Sequence, residues 1–127
     1  MANKKTILLV EDDEFLAELY ATKLNLEGYE VLVASDGEKG FKTASDKIPD
    51  LILLDIILPK MDGFEILKKL KANKKTKDIP VILLTNLSQK DEVKKGLDLG
   101  ANDYLIKAHF MPSEVISKIK KVLKEIS

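Results

Sequence analysis

Cysteine, arginine and tryptophan are absent from this chain of 127 residues, and histidine occurs once. Without cysteine, the chain forms no disulfide bond and no thiolate metal site. Without arginine, it lacks the side chain best suited to bidentate contacts with guanine or phosphate. The net charge is zero, from 21 basic and 21 acidic residues, which argues further against general affinity for nucleic acid. We therefore expect no direct nucleic-acid partner.

Long hydrophobic runs are also absent. Apolar runs such as Leu51–Leu54 and Ile56–Leu58 fall far short of the roughly 20 residues that span a bilayer. No signal peptide is visible before the first apolar run. The sequence therefore predicts a cytoplasmic protein without a membrane partner. Its length is typical of one domain, over residues 1–127, with a hydrophobic core of its own.

Five short apolar runs alternate with five longer segments whose apolar residues recur at helical spacing. Most of the runs are continuously apolar, which is typical of strands buried on both faces of a parallel sheet. Pro112 is expected in the first turn of the last helix. The pattern predicts an α/β fold of the (βα)5 type, with a doubly wound five-stranded parallel sheet and no further domain after the fifth helix. The predicted strands are Thr6–Val10, Glu30–Ala34, Leu51–Leu54, Val81–Leu84 and Asp103–Ile106.

The segments between the strands carry local signals of their own. Asp13 and Glu14 are expected to stabilise the N-terminus of helix 1, where acidic side chains are favoured. Asp62-Gly63 is expected to begin helix 3, and the basic stretch Lys68–Lys77 to form a solvated helix face and turn. Helix 4, over Gln89–Leu99, is rich in lysine and aspartate. Its surface should be polar, so we expect a monomer or a weak dimer.

The candidate site follows from where polar residues end the strands. Ligands of doubly wound sheets bind outside the carboxyl ends of the strands. If the strands take the order 2-1-3-4-5, then strands 1, 3, 4 and 5 are neighbours, and the groups that follow them share one edge. These groups are Glu11, Asp12, Asp13 and Glu14 after strand 1, Asp55 after strand 3, Thr85 and Asn86 after strand 4, and Lys107 at the end of strand 5.

The residue types at this edge point to phosphoryl chemistry. Crowded carboxylates repel one another unless a cation lies among them or a proton is taken up. Oxygen ligands without nearby histidine or cysteine select a hard ion such as Mg²⁺. Lys107 offers a compact positive charge, and Thr85 offers a hydroxyl donor. The set predicts a phosphoryl-transfer site with Asp55 as the nucleophile.

These residues stand in motifs that closely resemble the receiver domain of bacterial two-component response regulators, over essentially the whole chain. Each motif is weak alone, but together, in this order and at strand ends, they are highly specific. The resemblance implies a flavodoxin-like sheet of strand order 2-1-3-4-5 in a stand-alone receiver domain. The motifs are Leu9-Val10-Glu11-Asp12-Asp13, Leu54-Asp55-Ile56-Ile57-Leu58-Pro59-Lys60-Met61-Asp62-Gly63, Leu83-Leu84-Thr85 and Asp103-Tyr104-Leu105-Ile106-Lys107.

The resemblance also implies roles at the acidic end of the site. Asp55 is the phosphoacceptor. Mg²⁺ is held by Glu11 and Asp12, of which Asp12 is the more direct ligand, together with Asp55 and the backbone carbonyl of Ile57. The donor is a phosphohistidine on a sensor histidine kinase or a histidine phosphotransfer protein. Such a domain assists its own phosphorylation and dephosphorylation, and we do not expect a turnover enzyme.

A second set of implied roles concerns signalling. Thr85 binds the phosphoryl group and moves with it, Lys107 contacts the phosphoryl group, and Tyr104 swings inward when Thr85 moves. The switched surface, formed by helix 4, strand 5 and helix 5, is expected to contact a downstream protein.

Four positions depart from the usual family pattern. Ala108 replaces the proline that commonly follows the site lysine, where a cis bond without proline costs roughly 2.5–4 kcal/mol. Asn86 replaces a small residue after the site threonine, and we expect its larger side chain to narrow access to Asp55. Ile57 and Leu87 are apolar where other members often carry polar groups. We predict that these two hinder a hydrolytic water and lengthen the phosphorylated lifetime.

Three other functions compete with this one. A phosphohydrolase with an aspartyl phosphate would need a second Asp two positions after the nucleophile, where Ile57 stands. A flavodoxin-like cofactor binder would need a Ser-, Thr- or Gly-rich first loop, but that loop is acidic. A pseudo-receiver, which keeps the fold as a protein-interaction module but is never phosphorylated, stays open because of Ala108 and Asn86. His109 is expected in a surface loop.

Overall fold

The structure, a computed structural model, describes residues 4–59, 61–85, 90–106 and 112–124. Within these ranges the strands form one parallel sheet in the order β2-β1-β3-β4-β5. This confirms the predicted α/β doubly wound, flavodoxin-like fold and its strand order. The elements, in chain order, are β1 (Thr6–Val10), α1 (Glu14–Leu26), β2 (Glu30–Ala34), α2 (Gly37–Lys47), β3 (Leu51–Asp55), α3 (Gly63–Ala72), β4 (Val81–Thr85), α4 (Lys90–Asp98), β5 (Asp103–Ile106) and α5 (Pro112–Leu123).

The continuously apolar runs became the inner strands, as expected. Every residue of β3 and β4 is buried, because helices cover both faces of the sheet. One apolar layer packs α2 and α3 on the sheet, and the other packs α1 and α5 on the opposite face. The edge strand β2 has only Ala34 fully buried, since one side of it lacks a neighbouring strand among the described residues. Among the same residues no helix is both long and apolar enough to cross a membrane.

Aspartates cap three helices at the carboxyl edge of the sheet. The side chains of Asp13, Asp36 and Asp62 accept hydrogen bonds from backbone N–H groups in the first turns of α1, α2 and α3, at 3.1, 2.9 and 2.9 Å. A cap of this kind contributes about 1 kcal/mol and fixes where the helix begins. The expected capping role of Asp13 and the expected start of helix 3 at Asp62-Gly63 are therefore confirmed.

Two strands are one residue longer than predicted. Asp55 pairs with Leu84, and Thr85 pairs with Ile106, so both polar residues are the last members of their strands. The apolar runs alone did not reveal these last residues, because the backbone of a polar residue can pair with the next strand as well as that of an apolar one. Helix 4 is described over Lys90–Asp98, since the predicted first residue, Gln89, lies outside the described residues.

One lysine of the basic stretch differs from its neighbours. Lys71 is half-buried, and its ammonium group donates to the carbonyl oxygens of Lys77 and Ile79 at 3.1 and 3.0 Å. Burial lowers the pKa of Lys71, and the nearby Asp78 partly opposes this shift. Lys71 therefore ties the end of α3 to the following loop, whereas Lys68, Lys69 and the other lysines of the stretch are exposed, as predicted.

Candidate functional site

Three carboxylates meet at the carboxyl edge of the sheet. Val10 of β1 pairs with Leu54 of β3, so the residues that follow them lie side by side. Glu11, Asp12 and Asp55 each place a carboxylate oxygen within 4.8 Å of the other two. Glu11 and Asp55 are only 1% and 5% exposed, whereas Asp12 is exposed. The strand order thus brings together an acidic cluster in which two residues are buried and Asp12 is exposed.

Backbone contacts hold the phosphoacceptor candidate in place. Oδ1 of Asp55 accepts a hydrogen bond from the Ile57 N–H at 3.1 Å, which turns the chain sharply after β3. The Ile56 N–H donates to the Leu84 carbonyl at 3.2 Å, so the sheet continues just past Asp55. Ile57 itself is 60% exposed. Asp55 therefore has one carboxylate oxygen oriented by the backbone of its own loop, and the next apolar residue of that loop is exposed.

Glu11 is held in a similar way on the neighbouring strand. Its N–H donates to the Ala34 carbonyl at 3.0 Å, and its Oε2 accepts a hydrogen bond from the Asp13 N–H at 3.2 Å. Asp13 in turn caps α1, so its side chain is engaged away from the carboxylate cluster. The acidic run after β1 is thereby divided, with Glu11 and Asp12 in the cluster and Asp13 in the helix cap.

Gly63 is a site residue that the sequence identified only as a helix start. Its N–H donates to the Ile56 carbonyl at 2.7 Å. A Cβ atom at this position would lie 2.5 Å from the Asp55 carbonyl oxygen and 2.6 Å from the Ile56 Cα. Both atoms belong to the backbone and cannot rotate away, so only glycine lets α3 begin against the end of β3. The Asp62-Gly63 dipeptide directly before a helix was the available signal.

Thr85 and Tyr104 lie on adjacent strands beside this cluster. Thr85 is 1% exposed and ends β4, one residue beyond the partner of Asp55. Tyr104 is half-buried and pairs with Leu83. Because side chains alternate along a strand, Leu83 and Thr85 point to the same face, and Tyr104 shares that face. The two residues predicted to act in signalling are thus diagonal neighbours on one side of the sheet.

Several predicted features lie outside the described residues. These are Lys107 with its proposed phosphoryl contact, Ala108 and the peptide bond before it, His109, Asn86 and Leu87.

The donor set at the edge is chemically matched to a divalent cation. Three carboxylates lie within 4.8 Å of one another, and water screens the charges of the two buried ones poorly. Oxygen-only ligands favour Mg²⁺, which keeps some of its waters and leaves positions for phosphate oxygens. The carbonyl of Ile57 follows directly in the same loop. The described residues therefore fit the predicted metal in both ligand type and charge.

Comparisons with known proteins agree with this architecture. The family model of the response regulator receiver domain matches residues 7–120. Among curated relatives, the alkaline phosphatase synthesis transcriptional regulatory protein PhoP of Bacillus subtilis is 43% identical over 122 residues, which cover 96% of this chain and 49% of that protein. The phosphate regulon transcriptional regulatory protein PhoB of Pseudomonas aeruginosa is 41% identical over 120 residues, covering 94% and 52%. The chain thus spans about half the length of these relatives.

Solved structures give the same result. A CheY-like response regulator receiver domain protein from Methanospirillum hungatei has a TM-score of 0.88 at 30% identity, covering 96% of this chain and 95% of that one. The receiver domain of a sensor histidine kinase from Pseudomonas aeruginosa, with a magnesium ion coordinated in its active site cleft, has a TM-score of 0.88 at 28% identity, covering 97% and 100%. From its sequence and its fold, the chain belongs to the response regulator receiver domain family.

Proposed function

We propose that this chain accepts a phosphoryl group on Asp55 in a Mg²⁺-dependent reaction and uses it to switch a protein-binding surface. The observation that carries the proposal is the cluster of Glu11, Asp12 and Asp55, whose carboxylate oxygens lie within 4.8 Å of one another. Two further features support it. Thr85 ends the neighbouring strand, and a related receiver domain holds magnesium in its active site cleft.

The metal would be held by Glu11, Asp12, Asp55 and the carbonyl oxygen of Ile57. When bound, Mg²⁺ offsets the charge of the carboxylates and of the incoming phosphoryl oxygens. The protein contributes a pocket that is already assembled, because strand pairing and the Ile57 N–H fix Asp55 before any donor arrives. Such preorganisation lowers the cost of bringing the reacting groups together.

The transfer is a nucleophilic displacement at phosphorus. A carboxylate oxygen of Asp55 forms the new P–O bond while the P–N bond of a donor phosphohistidine breaks, and the electron pair of that bond remains on the imidazole. The donor would be a sensor histidine kinase or a histidine phosphotransfer protein. The product is an aspartyl phosphate, which water later cleaves to restore Asp55 and release inorganic phosphate. Lys107 is proposed to contact the transferred group.

The proposed conformational switch involves β4 and β5, the two strands beside the site. Thr85 would follow the phosphoryl group, and its diagonal neighbour Tyr104 would change its ring position in response. The surface of α4, β5 and α5 is then proposed to change and to contact a downstream protein. In α4, Asp91, Glu92 and Lys94 are exposed, so this partner would meet a charged face.

The chain is proposed to act as a regulator in the cytoplasm, as a monomer or weak dimer, rather than as an enzyme with external substrates. Ile57, two positions after Asp55, has no proton to give to or take from a leaving group. The alternative is a pseudo-receiver that binds partners without phosphorylation. Labelling distinguishes the two, because only the first predicts a Mg²⁺-dependent phosphoprotein.

The test is to incubate the protein with acetyl phosphate, with and without Mg²⁺, and to measure its intact mass at once. We expect one added phosphate per chain with Mg²⁺ and none after chelation. Asp55→Asn should remove the added phosphate in full. Asp62→Asn is the matched control, because asparagine caps a helix about as well as aspartate, and it should leave labelling intact.

Other outcomes would redirect the proposal. Labelling that persists in Asp55→Asn would place the acceptor elsewhere. If neither acetyl phosphate nor a phosphohistidine protein labels the chain, the phosphoacceptor function is wrong, and the pseudo-receiver becomes the better account.

A further inference from the structure

Asp103, at the start of β5, joins two elements through one oxygen. Its Oδ1 accepts a hydrogen bond from the N–H of Tyr104 at 2.8 Å and a charged hydrogen bond from Nζ of Lys118, on α5, at 3.0 Å. The side chains of Lys118 and Asp103 are 26% and 23% exposed. Because both are largely removed from water, this pair is less screened than an ordinary surface salt bridge.

The same ammonium group also contacts the switch aromatic. Nζ of Lys118 lies 5.0 Å from the centroid of the Tyr104 ring, within the distance at which a cation is attracted to a ring face. Asp103 thus holds Lys118 where it meets the ring. Lys118 therefore links α5, the edge strand β5 and the side chain of Tyr104 through one charged group.

The ring position matters because Tyr104 is a diagonal neighbour of Thr85 on the same face of the sheet. Tyr104 is half-buried, and the Lys118 ammonium group that lies over its ring belongs to a side chain that is itself 26% exposed. An inward movement of the ring would separate it from Lys118. The attraction therefore stabilises the half-exposed position relative to a buried one.

We propose that Lys118 is a positioning residue that holds Tyr104 in its half-exposed position and thereby sets the switching equilibrium of the domain. This inference rests on the proposed function, in which Tyr104 is the aromatic that changes position. Loss of the lysine charge removes a stabilisation that only the half-exposed ring receives. The protein should then switch more readily, with no change to the carboxylate cluster.

The experiment uses ¹⁹F NMR of the full chain labelled with 3-fluorotyrosine. The chain has three tyrosines, and Tyr104→Phe assigns the resonance of interest. Spectra are recorded without ligand and during titration with beryllofluoride, a phosphoryl mimic, in the presence of Mg²⁺. The variants are Lys118→Met, Lys118→Arg and, as the matched control, Lys121→Met, which makes the same change at an exposed position on the same helix.

In Lys118→Met we expect the resting Tyr104 resonance to move towards its beryllofluoride-bound position. The beryllofluoride affinity should rise by about two- to tenfold, the range that a partly desolvated cation–π contact and ion pair allow. Lys118→Arg should stay close to the unmodified protein because it keeps the charge. Lys121→Met should change neither quantity.

The results separate this proposal from the proposed function. If the unmodified protein does not respond to beryllofluoride and Mg²⁺, the phosphoacceptor function is contradicted, whatever Lys118 does. If it responds but Lys118→Met matches it in both resonance and affinity, the role of Lys118 is overturned. Should Lys118→Met not fold, Asp103→Asn gives the same test. It removes the charge that anchors Lys118, and an unchanged resonance and affinity there would equally refute the proposal.

Discussion

The Asp12→Asn variant tests whether repulsion among the carboxylates of Glu11, Asp12 and Asp55 destabilises the folded protein. Asp12 lies within 4.8 Å of two other carboxylates. At that distance two like charges repel by about 3.5 kcal/mol at an effective dielectric constant of about 20, and by about 0.9 kcal/mol in water. Because Asp12 is exposed, the value for water is the appropriate one for each pair. Two neighbours then give about 1.7 kcal/mol of repulsion.

Part of that repulsion is offset by the start of α1. An anion near a helix N-terminus is stabilised by about 0.3–1 kcal/mol, and Asp12 precedes the capping residue Asp13. The net gain from removing the Asp12 charge, with Mg²⁺ chelated, is therefore about 1 kcal/mol. For a chain of this length that raises Tm by about 3–5 °C.

The assay is thermal unfolding followed by circular dichroism, in EDTA and in increasing Mg²⁺. The unmodified protein should gain stability with Mg²⁺, by about 2.7 kcal/mol at a hundred times Kd. Asp12→Asn should begin higher in EDTA and gain much less. Asp13→Asn, one residue along, should behave like the unmodified protein because asparagine preserves the cap. A variant that is less stable in EDTA, or that keeps the full Mg²⁺ response, would refute the reasoning.

Three further predictions follow from single contacts. Gly63→Ala should destabilise the protein by about 1–3 kcal/mol and slow phosphoryl labelling, because its Cβ would collide with backbone at Asp55. Urea unfolding measures the loss of stability, and the initial rate of labelling by acetyl phosphate measures the second effect. Ile57→Asn should shorten the phosphorylated lifetime, followed by intact mass after donor removal, because a polar rim admits water to the aspartyl phosphate. The Lys71 ammonium should titrate below the usual lysine pKa of 10.5 in ¹³Cε NMR, because burial lowers its pKa. Between the pKa of Lys71 in the folded protein and 10.5, the unfolded chain binds more protons than the folded one, so folding becomes more favourable as pH rises. The free energy of unfolding of the unmodified protein, minus that of Lys71→Met, should therefore increase with pH over this range.

Each of these has a result that would count against it. Normal stability and labelling in Gly63→Ala would contradict the close approach of Gly63 to the backbone of Asp55 and Ile56. An unchanged phosphate lifetime in Ile57→Asn would show that its exposed side chain does not control water. A Lys71 pKa of 10.5 or higher would contradict the effect of burial.

The fold was predictable because its signals are local and repeated. Continuous apolar runs such as Leu51–Leu54 identify strands covered on both faces, and aspartates such as Asp36 and Asp62 mark helix starts through a cap within the same turn. The strand ends were less certain, since Asp55 and Thr85 continue the pairing although their side chains are polar.

The residues that form the site were predictable, but the tertiary contacts that position them were not. The strand order brings Glu11, Asp12 and Asp55 together, so their meeting follows from topology. The close approach of Gly63 to the backbone and the contact between Lys118 and Tyr104 depend on tertiary packing. No spacing along the chain encodes such contacts, and the charged stretch around Lys71 carries no local signal that one of its lysines is half-buried.

The central claim is that Asp55 is the phosphorylated residue and that Mg²⁺ is required. Its most direct test is to react the protein with acetyl phosphate and Mg²⁺, reduce the product with borohydride, and locate the resulting homoserine by tandem mass spectrometry. The account predicts homoserine at position 55 alone, and none when Mg²⁺ is chelated. Homoserine at Asp12 or Asp62, or labelling at position 55 that is independent of Mg²⁺, would contradict it.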